Sequence, residues 1–112
     1  MEEQIKEALN QAIADFTKNM VKIKKLAYTQ GGQVAVEKVD TYYEDLRNKY
    51  FTILKKELDQ NNAQYQALMK SVNSETEKLR SSINQLNNIN DIINLVTSVI
   101  DLAGKVISVL GV

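Results

Sequence analysis

Three acidic side chains near the middle of the chain have a spacing that could bind a metal ion. Glu37, Asp40 and Glu44 are three and four residues apart, so their carboxylates would share one face of a helix. Helical metal sites of this kind usually add histidine or a second acidic helix. The chain has no histidine, and its other acidic pairs do not repeat the spacing. We therefore interpret the three acids as the solvated start of a helix, and we expect no metal and no cofactor.

Missing residue types exclude most catalytic chemistry. Without histidine or cysteine the chain cannot form a histidine base, a thiol nucleophile, a structural zinc site or a disulfide. Serine, threonine, lysine and tyrosine are present, but no nucleophile elbow, phosphate-binding loop or dinucleotide glycine motif surrounds them. We therefore expect a protein that is not an enzyme.

A group of lysines and the overall charge bear on the choice of partner. Lys18, Lys22 and Lys25 share a helix face that could contact phosphate or anionic lipid. They also lie near the end of a predicted helix, where cations complement the helix dipole, and we favour that interpretation. The 14 basic and 14 acidic residues give zero net charge, which argues against broad electrostatic binding of nucleic acid.

Four of the seven aromatic residues lie within ten positions of one another. Tyr43 and Tyr50 are seven apart, on the apolar stripe of a predicted helix, and are expected to pack in the core. Tyr42 and Phe51 point away from that stripe. Aromatic side chains are common binding hot spots, so these two are candidates for contact with another helix or with a partner.

Apolar stripes with a helical period run along the whole chain and predict an all-α protein. In residues 2–29 acidic residues come early and lysines come late, an order that stabilises a helix through its dipole. Gly31 and Gly32 then predict a turn, because glycine readily adopts the left-handed conformation that ends helices. The first stripe comprises Ile5, Leu9, Ala12, Phe16, Met20, Ile23 and Ala27.

The remaining boundaries leave two arrangements open. Residues 34–87 read as helical, with a stripe that includes Ile53, Leu54 and Leu58, and residues 89–110 form a last, apolar helix. Turns at 59–62 and 87–90 would give four helices, whereas a single turn at 71–74, where a capping-box pattern occurs, would give three. Either way we predict one domain, residues 1–112, folded as an elongated antiparallel bundle of three to four helices.

The C-terminal helix has an unusually wide apolar face. With Ile89 at heptad position a, every a, d, e and g position from 89 to 110 is apolar, which corresponds to an arc of roughly 200°. A typical surface helix has about three apolar positions in seven, so more than one neighbour must cover this one. The opposite ridge is polar but mostly uncharged. The e positions are Ile93, Ile100 and Ile107, and the g positions are Leu95, Leu102 and Val109.

Three interpretations of that face remain open. The helix is central to the chain's own bundle, or part of its face is left for a partner or a second copy, or it acts at a membrane. We expect the C-terminal helix to be the most buried element. No run of about 18 apolar residues is unbroken, so we do not expect an ordinary transmembrane helix.

The sequence thus favours a non-enzymatic helical module for protein interaction or self-assembly, acting by helix packing through its C-terminal helix. The partner would be another protein or a second copy. The alternative is a membrane-active protein, pore-forming or membrane-binding, that uses the same helix. With no signal-peptide pattern we expect a cytoplasmic location, and leaderless secretion is compatible with the same features. The candidate interaction residues are Tyr42, Phe51, Ile93, Leu95, Ile100, Leu102, Ile107 and Val109.

Overall fold

The computed structural model describes residues 4–56 and 62–109. In chain order the helices are α1 (Gln4–Lys18), α2 (Met20–Leu54), α3 (Ala63–Gln85) and α4 (Ile89–Val109). No strand occurs in these described ranges. The fold is all-α, as the sequence predicted.

The junction between α1 and α2 is a local distortion rather than a turn. The backbone N–H of Asn19 donates to the Asp15 carbonyl, and the N–H of Ile23 donates to the Asn19 carbonyl, so the helical hydrogen-bond pattern continues. The Asn19 side chain also donates to the Asp15 carbonyl, at 2.8 Å. Such a bond competes with regular helix geometry. The helix predicted over 2–29 is therefore α1 together with the first part of α2.

The chain reverses direction within α2, at Gly32. This residue has φ +70° and ψ −163°, a conformation essentially restricted to glycine. Eight residues to either side, Lys24 Nζ lies 2.7 Å from Asp40 Oδ1, a contact that only an antiparallel hairpin allows. The predicted Gly-Gly turn is confirmed. We call residues 20–31 the first arm of α2 and residues 33–54 its second arm.

The structure selects four helical rods over three. The second arm ends at Leu54, and α3 begins after Asn62, whose side chain caps it by accepting a hydrogen bond from the Tyr65 N–H at 3.0 Å. The alternative turn at 71–74 was therefore wrong, because these residues lie inside α3. The predicted turn at 59–62 lies mostly outside the described residues. The α3 helix ends at Gln85, and its C-cap residue Leu86 adopts the left-handed conformation.

The helices pack as an elongated antiparallel bundle of 45 × 23 × 19 Å. Both α1 and α4 pack against α2 and against α3. Arg80 on α3 donates a hydrogen bond to Gln11 on α1, so these two residues lie at the same level of the bundle. At the hairpin end, Gln30 bonds to the first residue of α4, Ile89. The α4 helix therefore runs alongside the second arm of α2.

The predicted stripes supply the core. Every residue of the first stripe is buried except Met20, which is half-buried, and Tyr43 and Tyr50 are half-buried against the core. One assignment was wrong: Leu54 is 45% exposed, because its neighbour Ile53 holds the core position at the end of the arm. Leu58 lies outside the described residues. From α3 and α4 the core receives Tyr65, Val72, Thr76, Leu79, Ile83, Ile89, Ile92, Val96, Val99, Ala103 and Val106.

Candidate interaction surfaces

The centre of the wide α4 face is covered by the chain's own bundle. All described residues at the a and d positions are buried, and α2 and α3 are the helices that cover them. The fraction of buried residues in α4 is nevertheless similar to that in α1: six of 21 residues are buried in α4, and four of 15 are buried in α1. The expectation that α4 is the most buried helix therefore holds only narrowly.

Two apolar rows flank the buried stripe of α4 and are only partly covered. The isoleucine flank consists of Ile93, Ile100 and Ile107, and the leucine-valine flank consists of Leu95, Leu102 and Val109; all six are half-buried. The polar ridge on the opposite side of α4 is largely exposed. The bundle thus buries about half of the apolar arc of α4 completely and leaves the two edges of that arc partly accessible to solvent.

The start of α4 is attached to the hairpin by side-chain hydrogen bonds. Asn88 Oδ1 accepts from the backbone N–H of Asn90 at 2.8 Å and from that of Asp91 at 3.3 Å. Gln30, at the end of the first arm of α2, accepts from the Ile89 N–H at 2.7 Å and donates to the Asn87 carbonyl at 2.9 Å. These bonds satisfy N–H groups that a helix start otherwise leaves unpaired.

Tyr42 and Phe51 lie on different sides of the second arm. Tyr42 is half-buried against the core. It lies seven residues before Lys49, whose Cε is 3.9 Å from the position that a Cβ on Gly104 of α4 would occupy. Tyr42 therefore belongs to the side that faces α4. Phe51 is 43% exposed and lies with Arg47 on the side that faces α1. The structure does not gather the predicted interaction residues into one surface.

An aromatic and cationic cluster explains the position of Phe51. The Tyr43 ring stacks on Phe16 of α1, with ring centroids 5.4 Å apart, and its hydroxyl bonds to the Thr17 hydroxyl. The Arg47 guanidinium carbon lies 5.7 Å from the Tyr43 ring centroid and 5.5 Å from that of Phe51. Cation–π contacts at such exposed sites contribute about 0.5–1 kcal/mol. This cluster supports the packing of α1 on α2.

Sequence reasoning missed an exposed apolar surface on the first arm of α2. Val21 is 70% exposed and Tyr28 is 64% exposed, and both line a shallow depression with Lys24, Lys25 and Thr29. A signal was available, because Val21 and Tyr28 are seven residues apart and fall outside the core stripe. Val34, just after the reversal, is also exposed.

The charged groups singled out in the sequence are solvated. Glu37 and Glu44 are exposed, and Asp40 pairs with Lys24. Within the described residues no group of three or more metal-binding side chains could hold an ion. The lysines Lys18, Lys22 and Lys25 are all exposed.

By length and composition alone, α4 is the one helix in the described part of the chain that could cross a membrane. The sequence pattern had predicted no ordinary transmembrane helix, and a core helix of a soluble bundle meets the same criterion. No protein-family model matches the chain, and the searches of curated proteins and of solved structures likewise give no match.

Proposed function

We propose that this protein is a non-enzymatic helical module that binds another protein, or a second copy of itself, by helix packing through α4. The observation that carries the proposal is the pair of half-buried apolar flanks beside a completely buried stripe. In each flank the side chains recur every seven residues, the spacing with which one helix packs along another. The partner would be an apolar helix face.

The energetics favour covering these flanks. Burial of apolar surface contributes about 25 cal/mol per Å², so a helix laid along three large aliphatic side chains gains several times the thermal energy. The attachment of α4 to the bundle need not change, because the core stripe stays covered. The bundle would bind as a preformed surface, which limits the entropy cost of association.

A charge-matched pair of variants tests the proposal. We expect Ile93→Lys combined with Ile100→Lys to abolish self-association or partner binding while helix content is retained. Asn94→Lys combined with Ser108→Lys adds the same two charges on the exposed ridge of the same helix and should leave association unchanged. The measurements are mass by light scattering over a range of concentrations and circular dichroism.

Two results would contradict this proposal. One is a wild-type chain that stays monomeric at every concentration and binds no protein in a pull-down from its host. The other is an equal loss of association in the isoleucine-flank variant and in the ridge variant, which would point to net charge rather than to the flank.

A second candidate function is membrane activity through release of α4. It is supported by the length and apolar composition of this helix, which within residues 89–109 carries only Asp91, Asp101 and Lys105 as charges. The mechanism would require α4 to leave α2 and α3 and to place its apolar arc in a bilayer. The expected readout is leakage of dye from liposomes, lost when residues 89–112 are deleted.

The absence of cysteine allows a sharper test of α4 release. Lys49→Cys and Gly104→Cys place thiols on neighbouring side chains of α2 and α4, where a short bismaleimide can link the two helices. If release of α4 causes leakage, the linked protein should be inactive, while each single-cysteine variant treated with the same reagent should remain active. Leakage by the linked protein would contradict release.

A further inference from the structure

The first arm of α2, with the end of α1, presents a cationic and apolar face that is separate from α4. From Phe16 to Val36 the chain contains four lysines and no acidic residue. Of the acids on either side of this stretch, Asp15 bonds to Arg80, Asp40 pairs with Lys24, and Glu37 is exposed beyond the hairpin turn. We call Lys18, Val21, Lys22, Lys25 and Tyr28 the basic face.

The five residues of the basic face point the same way. On a helix of 3.6 residues per turn they fall within an arc of roughly 120°, opposite the core positions Ile23 and Ala27. The three lysines are exposed, and Val21 and Tyr28 are the two most exposed apolar side chains of the first arm. The bundle therefore leaves this whole face uncovered.

We infer that the basic face binds the surface of an anionic lipid bilayer, with its lysines at the headgroup phosphates and with Val21 and Tyr28 in the interface. Lysines near an anionic membrane surface each add favourable binding energy. Tyrosine suits the boundary because its ring is apolar and its hydroxyl is hydrated. The outward side of this single helix has only a shallow depression between Val21 and Tyr28, so it can lie against a planar surface.

Nucleic acid fits the same residues less well. Phosphate contacts would engage the lysines, but Val21 has no counterpart in a nucleic-acid groove, and base stacking usually occurs along a positively charged groove. Charge acts only within about 10 Å of either polyanionic surface at 0.1 M salt, so the lysines alone do not discriminate between them. The exposed apolar side chains of Val21 and Tyr28 favour the membrane.

The primary test is co-sedimentation of the full chain with vesicles of phosphatidylcholine alone or mixed with phosphatidylglycerol. We expect binding only to the anionic vesicles, weakened by salt. Combining Lys18→Gln, Lys22→Gln and Lys25→Gln should lower the partition coefficient by about 10- to 100-fold. The matched control combines Lys55→Gln, Lys70→Gln and Lys105→Gln, which removes three other exposed lysines and should retain binding.

A fluorescence experiment tests the apolar part of the contact. The chain has no tryptophan, so Tyr28→Trp introduces a single reporter. Its emission should shift to the blue with anionic vesicles. Phe51→Trp, near the far end of the second arm, should show no shift.

Several outcomes would overturn the inference. These are no binding of the wild type to anionic vesicles, an equal loss in both lysine triple variants, or an unshifted Tyr28→Trp spectrum. Retained binding in the basic-face variant together with lost binding in the Ile93→Lys, Ile100→Lys variant would assign membrane binding to α4 instead. Binding of the basic face to a nucleic acid but not to anionic vesicles would likewise overturn the inference.

Discussion

The side chain of Gln30 accepts a hydrogen bond from the backbone N–H of Ile89, a residue 59 positions later in the chain, at 2.7 Å. The same amide donates to the Asn87 carbonyl at 2.9 Å. Gln30 directly precedes the glycines at which α2 reverses, and Ile89 is the first residue of α4. One side chain therefore joins the hairpin turn to the start of the helix on which both candidate functions of α4 depend.

Gln30→Ala should lower the free energy of unfolding by about 1 kcal/mol, because it removes a side-chain cap from the start of α4. Urea denaturation followed by circular dichroism measures the change. Gln33→Ala is the control, since Gln33 is exposed beyond the turn and its side chain makes no hydrogen bond within the described structure. If α4 is released at membranes, Gln30→Ala should also speed dye leakage. Equal stabilities of the two variants would contradict the capping role.

Gly32→Ala and Gly104→Ala should shift stability in opposite directions. At Gly32 an alanine must adopt a backbone conformation that disfavours a Cβ, at a cost of about 1–3 kcal/mol. Inside α4, alanine is a better helix former than glycine by up to about 1 kcal/mol. There the nearest atom to a new Cβ is Lys49 Cε at 3.9 Å, an ordinary contact. Thermal melts of the two variants check the sign; a stabilised Gly32→Ala would contradict the hairpin geometry.

Ile92→Ala should destabilise the protein more than Ile93→Ala, although the two residues are adjacent. Ile92 is completely buried, so truncation leaves a cavity and costs about 2–5 kcal/mol. Ile93 is half-buried, and solvent can fill part of the space it vacates. Denaturant midpoints give the comparison. Under the proposed function, Ile93→Ala should in addition weaken association at concentrations where it remains fully folded.

The ion pair between Arg80 and Asp15 should contribute little to stability. Their side chains are 43% and 26% exposed, and exposed pairs of this kind contribute less than about 1 kcal/mol. A double-mutant cycle with Arg80→Gln and Asp15→Asn measures the coupling energy, which should shrink further at high salt. A coupling energy well above that value would mean that the pair, rather than apolar packing, sets the register of α1 against α3.

Most of the fold could be predicted from local sequence patterns. The stripe from Ile5 to Ala27 and the turn at Gly31 and Gly32 depend on residues close together in the chain, and both lie where the sequence predicted them. The boundaries between 55 and 88 were harder to predict, because serine and asparagine are favoured at helix caps but are also tolerated inside helices at modest cost. Only the structure shows that Asn62 caps a helix and that 71–74 does not.

The candidate surfaces depend on which helices become neighbours, and that is a property of contacts distant in sequence. The sequence by itself determined that α4 has a wide apolar face and that Tyr42 and Phe51 lie off the core stripe. Only the tertiary structure decided that α2 and α3 cover the centre of that face and leave its flanks partly open. It likewise left Val21 and Tyr28 uncovered, because no described helix packs on the outer side of the first arm. The spacing of apolar residues predicts which face of a helix is apolar, but only the packing of the helices determines which neighbour, if any, covers that face.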